Sequence, residues 1–212
     1  MENERVSIDV RKTGGNATRA VPDLNPLPNL QPMALLESLL RLLPLDDLPR
    51  TGWILGGVTQ PESVAGHILG TCHLALALTP RIEPPLELSR VLAMALVHDA
   101  PEAGSGDLPR PAAIHLPGGA KKRMEDALAG EILAPLSGPA TEAWAEYSAQ
   151  ETREARFVAL CDSLQMGVRW VGYQRAGWRG LGDFEAHFLA LDCEEFPAAE
   201  ALRQEILGSG TA

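Results

Sequence analysis

Val91-Leu-Ala-Met-Ala-Leu-Val-His98-Asp99-Ala-Pro-Glu102-Ala-Gly-Ser-Gly-Asp107-Leu-Pro109 is the stretch that decides how this chain is read. An apolar helical run ends on an adjacent imidazole and carboxylate, and a turn rich in Gly and Pro then carries two more acids. Successive residues on a helix point roughly 100° apart, so His98 and Asp99 reach one centre only where it lies against the helix edge they share. A bound cation meets that condition. Read alone, the same residues also suit an ordinary helix C-terminus, where the dipole favours His98 and the acids sit in solvent. The choice rests on whether other apolar helices supply further ligands.

Upstream, Pro61-Glu62-Ser63 opens a helix that runs to about Leu78, and His67 lies on or beside its buried stripe of Val64, Ile68, Leu74 and Leu78. A lone histidine there is usually a satisfied core residue, and His73 on the same helix is read as structural. Downstream, a helix from about Ala120 to Leu133 starts with Lys121, Lys122 and Arg123. Cations at a helix N-terminus oppose the macrodipole, so they are either plain surface charge or a sign of a nearby anion. The pattern is helical again from Pro139 to about Trp170, with a break expected near Ser148 to Glu151. Asp162 stands mid-helix among Phe157, Val158, Leu160, Cys161 and Leu164. A carboxylate in such company must be paired, hydrogen-bonded or metal-bound. His67, His98, Asp99 and Asp162 together make a mixed nitrogen and oxygen set suited to a divalent first-row metal with open positions for water and substrate.

Further out, residues 1–31 mix charge, Gly14-Gly15 and Pro22, Pro26 and Pro28 without a sustained period, and are expected to form an irregular or mobile extension. Residues 32–212 are expected to form a single helical bundle. Its first helix, Pro32 to Leu43, presents Leu35, Leu36, Leu39, Leu40, Leu42 and Leu43 as a broad apolar face expected to be core. Asp46 to Val58 carries too much Gly for a helix and reads as a loop, on which Arg50 and Trp53 could meet a phosphate and a flat ring or sugar. Two short helices, Phe184 to Leu191 and Pro197 to Leu207, close the bundle. Strand alternation is almost absent, so the fold class is all-α.

The formal net charge of −10 argues against a nucleic-acid polymer as partner, while leaving room for a small anion held by a few gathered cations. Cys72, Cys161 and Cys193 are too few and too scattered for a disulfide framework and read as reduced thiols. No signal peptide and no bilayer-spanning apolar run is evident, so the expected location is cytoplasmic.

The order His67, His98-Asp99, Asp162 resembles the signature of HD-domain phosphohydrolases. With Arg50-x-x-Trp53, Glu62-Ser63-Val64-Ala65-x-His67, His98-Asp99-Ala-x-Glu102, Gly106-Asp107-Leu-Pro109 and Lys121 to Glu125 added, the chain is similar to the YfbR-like 5'-deoxynucleotidase branch over roughly residues 33–175. That resemblance implies one divalent metal ion (manganese, cobalt, iron, zinc, nickel or magnesium) on His67, His98, Asp99 and Asp162. It further implies that Glu102 positions or deprotonates the attacking water and that Asp107 contacts the sugar or assists the leaving oxygen. Arg50 would hold phosphate, Trp53 would line the sugar pocket, and Lys121 and Lys122 would be weaker phosphate contacts. The implied substrate is a deoxyribonucleoside monophosphate, and the implied assembly a homo-oligomer. Departures are Gly66, where this branch often has an acid, and Pro101 within the His-Asp-Ala-x-Glu turn. The alternatives are a dNTP triphosphohydrolase on the same fold, using Arg110, Lys121, Lys122 and Arg123, and a nucleotide sensor without catalysis.

Overall fold

The computed structural model describes residues 35–210, so the expected N-terminal extension and the start of the Pro32 helix lie outside the described residues. The order is α1 (Leu35–Leu42), α2 (Pro44–Asp47), α3 (Thr51–Leu55), α4 (Val64–Leu78), a 3-10 turn (Thr79–Arg81), α5 (Leu88–Val97) and α6 (Glu102–Ser105). It continues with α7 (Arg110–Ala113), α8 (Ala120–Leu133), α9 (Gly138–Ala149), α10 (Arg153–Arg175), α11 (Gly182–Leu189) and α12 (Pro197–Gly210). Among the described residues no strand forms; a lone antiparallel bridge joins Pro49 to Ser63. The all-α reading is correct.

α10 is the central rod. Thr152 caps it by accepting from Ala155 N, and the preceding break is sharp because Gln150 takes a left-handed conformation with φ 56°. Phe157, Val158, Leu160, Cys161, Leu164, Trp170 and Tyr173 are buried around much of its circumference, as it must be to pack α4, α5, α9, α11 and α12 on different sides. α4 starts at Ser63, whose hydroxyl accepts from Gly66 N. Glu87 caps α5 by accepting from Ser89 N and Arg90 N. α4, α5 and α10 pack against one another, and each brings one of the predicted ligand positions to the bundle interior.

Two expectations fail. Leu35, Leu36, Leu39, Leu40 and Leu43 are 46–62% exposed, and Ser38 is the residue that α1 buries. The apolar stripe faces outward because α1 lies on the outside of α6 and α8. The Asp46 to Val58 segment is not a plain loop, since α2 and α3 form within it. Tertiary contacts overrule the poor local propensity: Thr51 N donates to Asp107 Oδ2 at 2.5 Å, and Trp53 is 1% exposed, anchoring α3 in the core.

Candidate metal centre

α5 ends at His98, and the chain then turns twice, with Ala100 N donating to Val97 O and Glu102 N to Asp99 O. These turns bring Asp99 and Glu102 to the same side. Gly106 holds φ 76°, a conformation open to glycine, and this aims Asp107 back at α3. His67, on the first turns of α4, and Asp162, mid-way along α10, arrive from the other side.

The donor atoms converge. His67 Nε2 lies 2.8 Å from Asp162 Oδ1, 3.3 Å from His98 Nε2 and 3.6 Å from Asp99 Oδ2. His98 Nε2 lies 3.4 Å from Asp99 Oδ2 and 4.0 Å from Asp162 Oδ1. Both imidazoles are buried, and each gives its Nδ1 proton away from the centre: His98 to Ala95 O at 2.7 Å, His67 to Gln165 Oε1 at 2.5 Å. Nε2 of each ring therefore turns to a point already faced by two carboxylate oxygens. Two nitrogens and two oxygens in one small volume fit a divalent cation, and His67, His98 and Asp99 alone already form a possible metal-holding group.

Arg50 closes the site from α3. Its Nη1 donates to Asp99 Oδ2 at 3.1 Å and to Asp107 Oδ1 at 2.9 Å, and its Nη2 reaches Met166 Sδ at 3.7 Å. Burial would lower the guanidinium, but Asp99, Asp162, Asp107 and Glu102 hold it above its ordinary value. Nη1 stands 3.6 Å from Glu102 Oε2, beyond hydrogen-bond reach. That oxygen is buried without a hydrogen-bond partner. Burial first, then the charge of Asp99, pushes the Glu102 carboxyl up to about 9. Burial also acts to raise Asp162, but the hydrogen bond to His67 together with the charges of His67, His98 and Arg50 holds it well below the usual carboxylate range. For His67 burial acts to lower the ring, but the same bond together with the charges of Asp162 and Asp99 raises it.

The sequence-predicted residues are thus brought together at His67, His98, Asp99, Asp162, Arg50, Glu102 and Asp107. Lys121 sits at the margin: burial disfavours its charge, but the bond to Glu125 and then the charges of Glu125, Glu102 and Asp99 raise it. Lys122 donates to Asp126 and Ser148. Trp53 lies in the core beside the site. Its ring stacks on Phe184 at 4.0 Å, its N–H is donated to Glu62 Oε1 at 3.0 Å, and it is 1% exposed.

Sequence reasoning gave no role to Glu62, Gln165 or Tyr147. Gln165 lies one helical turn beyond Asp162, a spacing that placed it on the ligand face. Tyr147, from α9, lies edge-on to His98 with centroids 5.8 Å apart, and its phenol is raised well above its ordinary value by burial and then by Asp162 and Asp99.

A family model described as HD domain matches residues 45–196. The 5'-deoxynucleotidase HDDC2 of Homo sapiens is 34% identical over 145 residues, which cover 66% of this chain and 69% of that protein. The 5'-deoxynucleotidase hdd1 of Schizosaccharomyces pombe is 31% identical over 150 residues, 66% of this chain and 73% of that protein. The matched span is about two thirds of the length of the curated mammalian relatives. Among solved structures, the PH0347 protein from Pyrococcus horikoshii OT3 superposes with a TM-score of 0.70 at 27% identity, covering 82% of this chain and 99% of that one.

Proposed function

The chain belongs to the HD domain family, and from that premise we propose that it is a divalent-metal-dependent phosphohydrolase that removes the 5'-phosphate of deoxyribonucleoside monophosphates. The observation that carries this is the convergence of His67, His98, Asp99 and Asp162 beside Arg50 and an unpartnered Glu102 oxygen. The similarity to 5'-deoxynucleotidases supports the substrate class.

His67 and His98 would hold the ion through Nε2, and Asp99 and Asp162 through carboxylate oxygens. When bound, a divalent cation screens the phosphate oxygens and makes water a better nucleophile. Glu102 Oε2 has no competing partner, so it is free to accept a hydrogen bond from the attacking water and then its proton. A raised carboxyl is the stronger base for that step once it is ionised, and the positive ion opposes the burial that keeps it neutral. Arg50, already desolvated and fixed by Asp99 and Asp107, stabilises charge on the phosphoryl oxygens without reorganising. Asp107 keeps that guanidinium in place and contacts the sugar or assists the leaving oxygen, while Lys121 adds positive potential at the margin.

The reading includes one metal ion, drawn from manganese, cobalt, iron, zinc, nickel or magnesium, which such a ligand set discriminates little. It also includes a homo-oligomer, favoured by the exposed leucines of α1. A cytoplasmic location agrees with the three free cysteines; no described helix is long and apolar enough to cross a membrane.

The test is phosphate release from the four dNMPs, the matching NMPs and the four dNTPs with added manganese or cobalt. Orthophosphate from dNMPs and not NMPs is the expected result. Tripolyphosphate from dNTPs would make the protein a triphosphohydrolase instead, and no release from any of them would overturn catalysis on this class.

A further inference from the structure

Beneath His67 lies a chain of polar groups, buried but for Arg169, that the reaction itself does not use. Arg169 Nε donates to Glu62 Oε2 at 2.8 Å, and Gln165 Nε2 donates to the same oxygen at 2.9 Å. Trp53 Nε1 donates to Glu62 Oε1 at 3.0 Å, and Tyr173 OH accepts from Glu62 N at 2.7 Å. The Glu62 side chain is 2% exposed. At the other end, Gln165 Oε1 accepts from His67 Nδ1. Gly70 on α4 makes room, since a Cβ there would fall 2.7 Å from Gln165 Nε2.

We propose that Glu62, acting through the Gln165 amide, is the positioning residue that fixes which ring nitrogen of His67 is presented to the metal. This rests on the metal-site reading above.

An amide has a donor end and an acceptor end, and nothing in its shape tells them apart. An ionised carboxylate accepts only. Glu62 Oε2 therefore takes the NH2 end of Gln165 and leaves the oxygen end facing His67. That oxygen keeps the proton on Nδ1, so Nε2 is the nitrogen left to give up its proton and bind. Reversing the amide would place NH2 against Nδ1, favour the opposite tautomer and put a proton on the ligating nitrogen. Glu62 is itself held on three sides by Trp53, Arg169 and Tyr173, so its aim does not drift. It also anchors the opposite wall of the site, because Arg50 N donates to Glu62 O at 3.0 Å.

The experiment measures zinc affinity by calorimetric titration, together with the exchange-protected imidazole N–H signal of His67 in the zinc-loaded protein. Glu62→Met removes the carboxylate and frees the amide to turn. Removal of an outer partner of a metal-binding histidine lowers affinity about 10–100-fold, and that loss is expected here with disappearance of the N–H signal. Gln165→Met removes the acceptor directly, is expected to give the same loss, and serves if Glu62→Met does not fold.

The decisive variant is Glu62→Met with Gln165→Glu. A carboxylate at 165 offers only acceptors, so it needs no aiming, and affinity and the N–H signal are expected to return. A purely structural role for Glu62 predicts no such rescue. Folded single variants that bind zinc as tightly as wild type, or a folded double variant that is not restored, would overturn the proposal. Failure of the wild-type protein to bind zinc, manganese or cobalt at all would instead overturn the metal-site reading beneath it.

Discussion

Replacing Glu102 by glutamine should make the metal-free protein more stable and the loaded protein inactive. The side chain is buried, with one oxygen lacking any partner. Its carboxyl is pushed from an ordinary 4.5 to about 9, by burial first and then by Asp99. A carboxyl raised in the fold costs nothing below its unfolded value, where both states carry the proton. Above that value the unfolded chain ionises and the folded chain does not, so stability falls as pH rises, until the folded group ionises as well. At about 1.4 kcal/mol for each pH unit, the loss at pH 7 is roughly 3 kcal/mol. A neutral amide of the same shape escapes it. For a domain of this size, that is a rise in Tm of roughly 6–12 °C. Scanning calorimetry in chelator at pH 5, 6, 7 and 8 should show the gap between Glu102→Gln and wild type widening with pH. A gap that is flat or reversed would refute the burial argument. Phosphate release by the loaded variant separates the chemistry from the stability: metal should still bind while turnover is lost, and near-normal rates would remove Glu102 from its assigned role.

Other outcomes follow from the same geometry. Asp162→Asn or Asp99→Asn should abolish metal binding, as read by metal content after dialysis; full retention would take that residue out of the ligand set. Arg50→Lys supplies one point charge where Nη1 now meets two carboxylates and Nη2 a sulfur. It should lower kcat/KM on a dNMP about 100-fold with metal affinity close to wild type, and an unchanged kcat/KM would exclude Arg50 from phosphate contact. Phe157, fully buried on α10, should cost about 3–5 kcal/mol on truncation to alanine by denaturant unfolding. Chelation should lower the Tm of the metal-loaded protein, with the shift growing as the logarithm of metal concentration, because the ion binds a site that exists only in the fold.

The helices were legible because their ends carry local signals: Ser63 and Thr152 as caps, and polar residues with a left-handed Gln150 between α9 and α10. The residues proposed as ligands stood out for a different reason. Asp162 among buried apolar neighbours has no stable explanation other than a partner. Sequence failed where meaning depends on what stands opposite. The leucines of α1 have helical periodicity, but periodicity does not say which side of the helix the protein occupies. The sequence around Trp53 likewise gives no sign that its indole N–H is taken by Glu62 and its ring by Phe184. Spacing puts Gln165 on the same face as Asp162, but an uncharged amide carries no sign of being buried against a carboxylate from a segment far away in sequence.

The small bridge between Pro49 and Ser63 has a mechanical result. Arg50 N bonds Glu62 O and Val64 N bonds Leu48 O, so the chain leaves and re-enters through one clamped neck. Between those clamps, Gly57, Thr59 and Gln60 are exposed, and nothing lies within 4 Å of a side chain added at Gly57. Thr59-Gln60 is therefore a place where the polypeptide can be lengthened, tagged or attached to a surface while the load stops at the neck. The guanidinium on one side and the first imidazole helix on the other are tied to each other more directly than either is tied to the excursion that joins them in sequence.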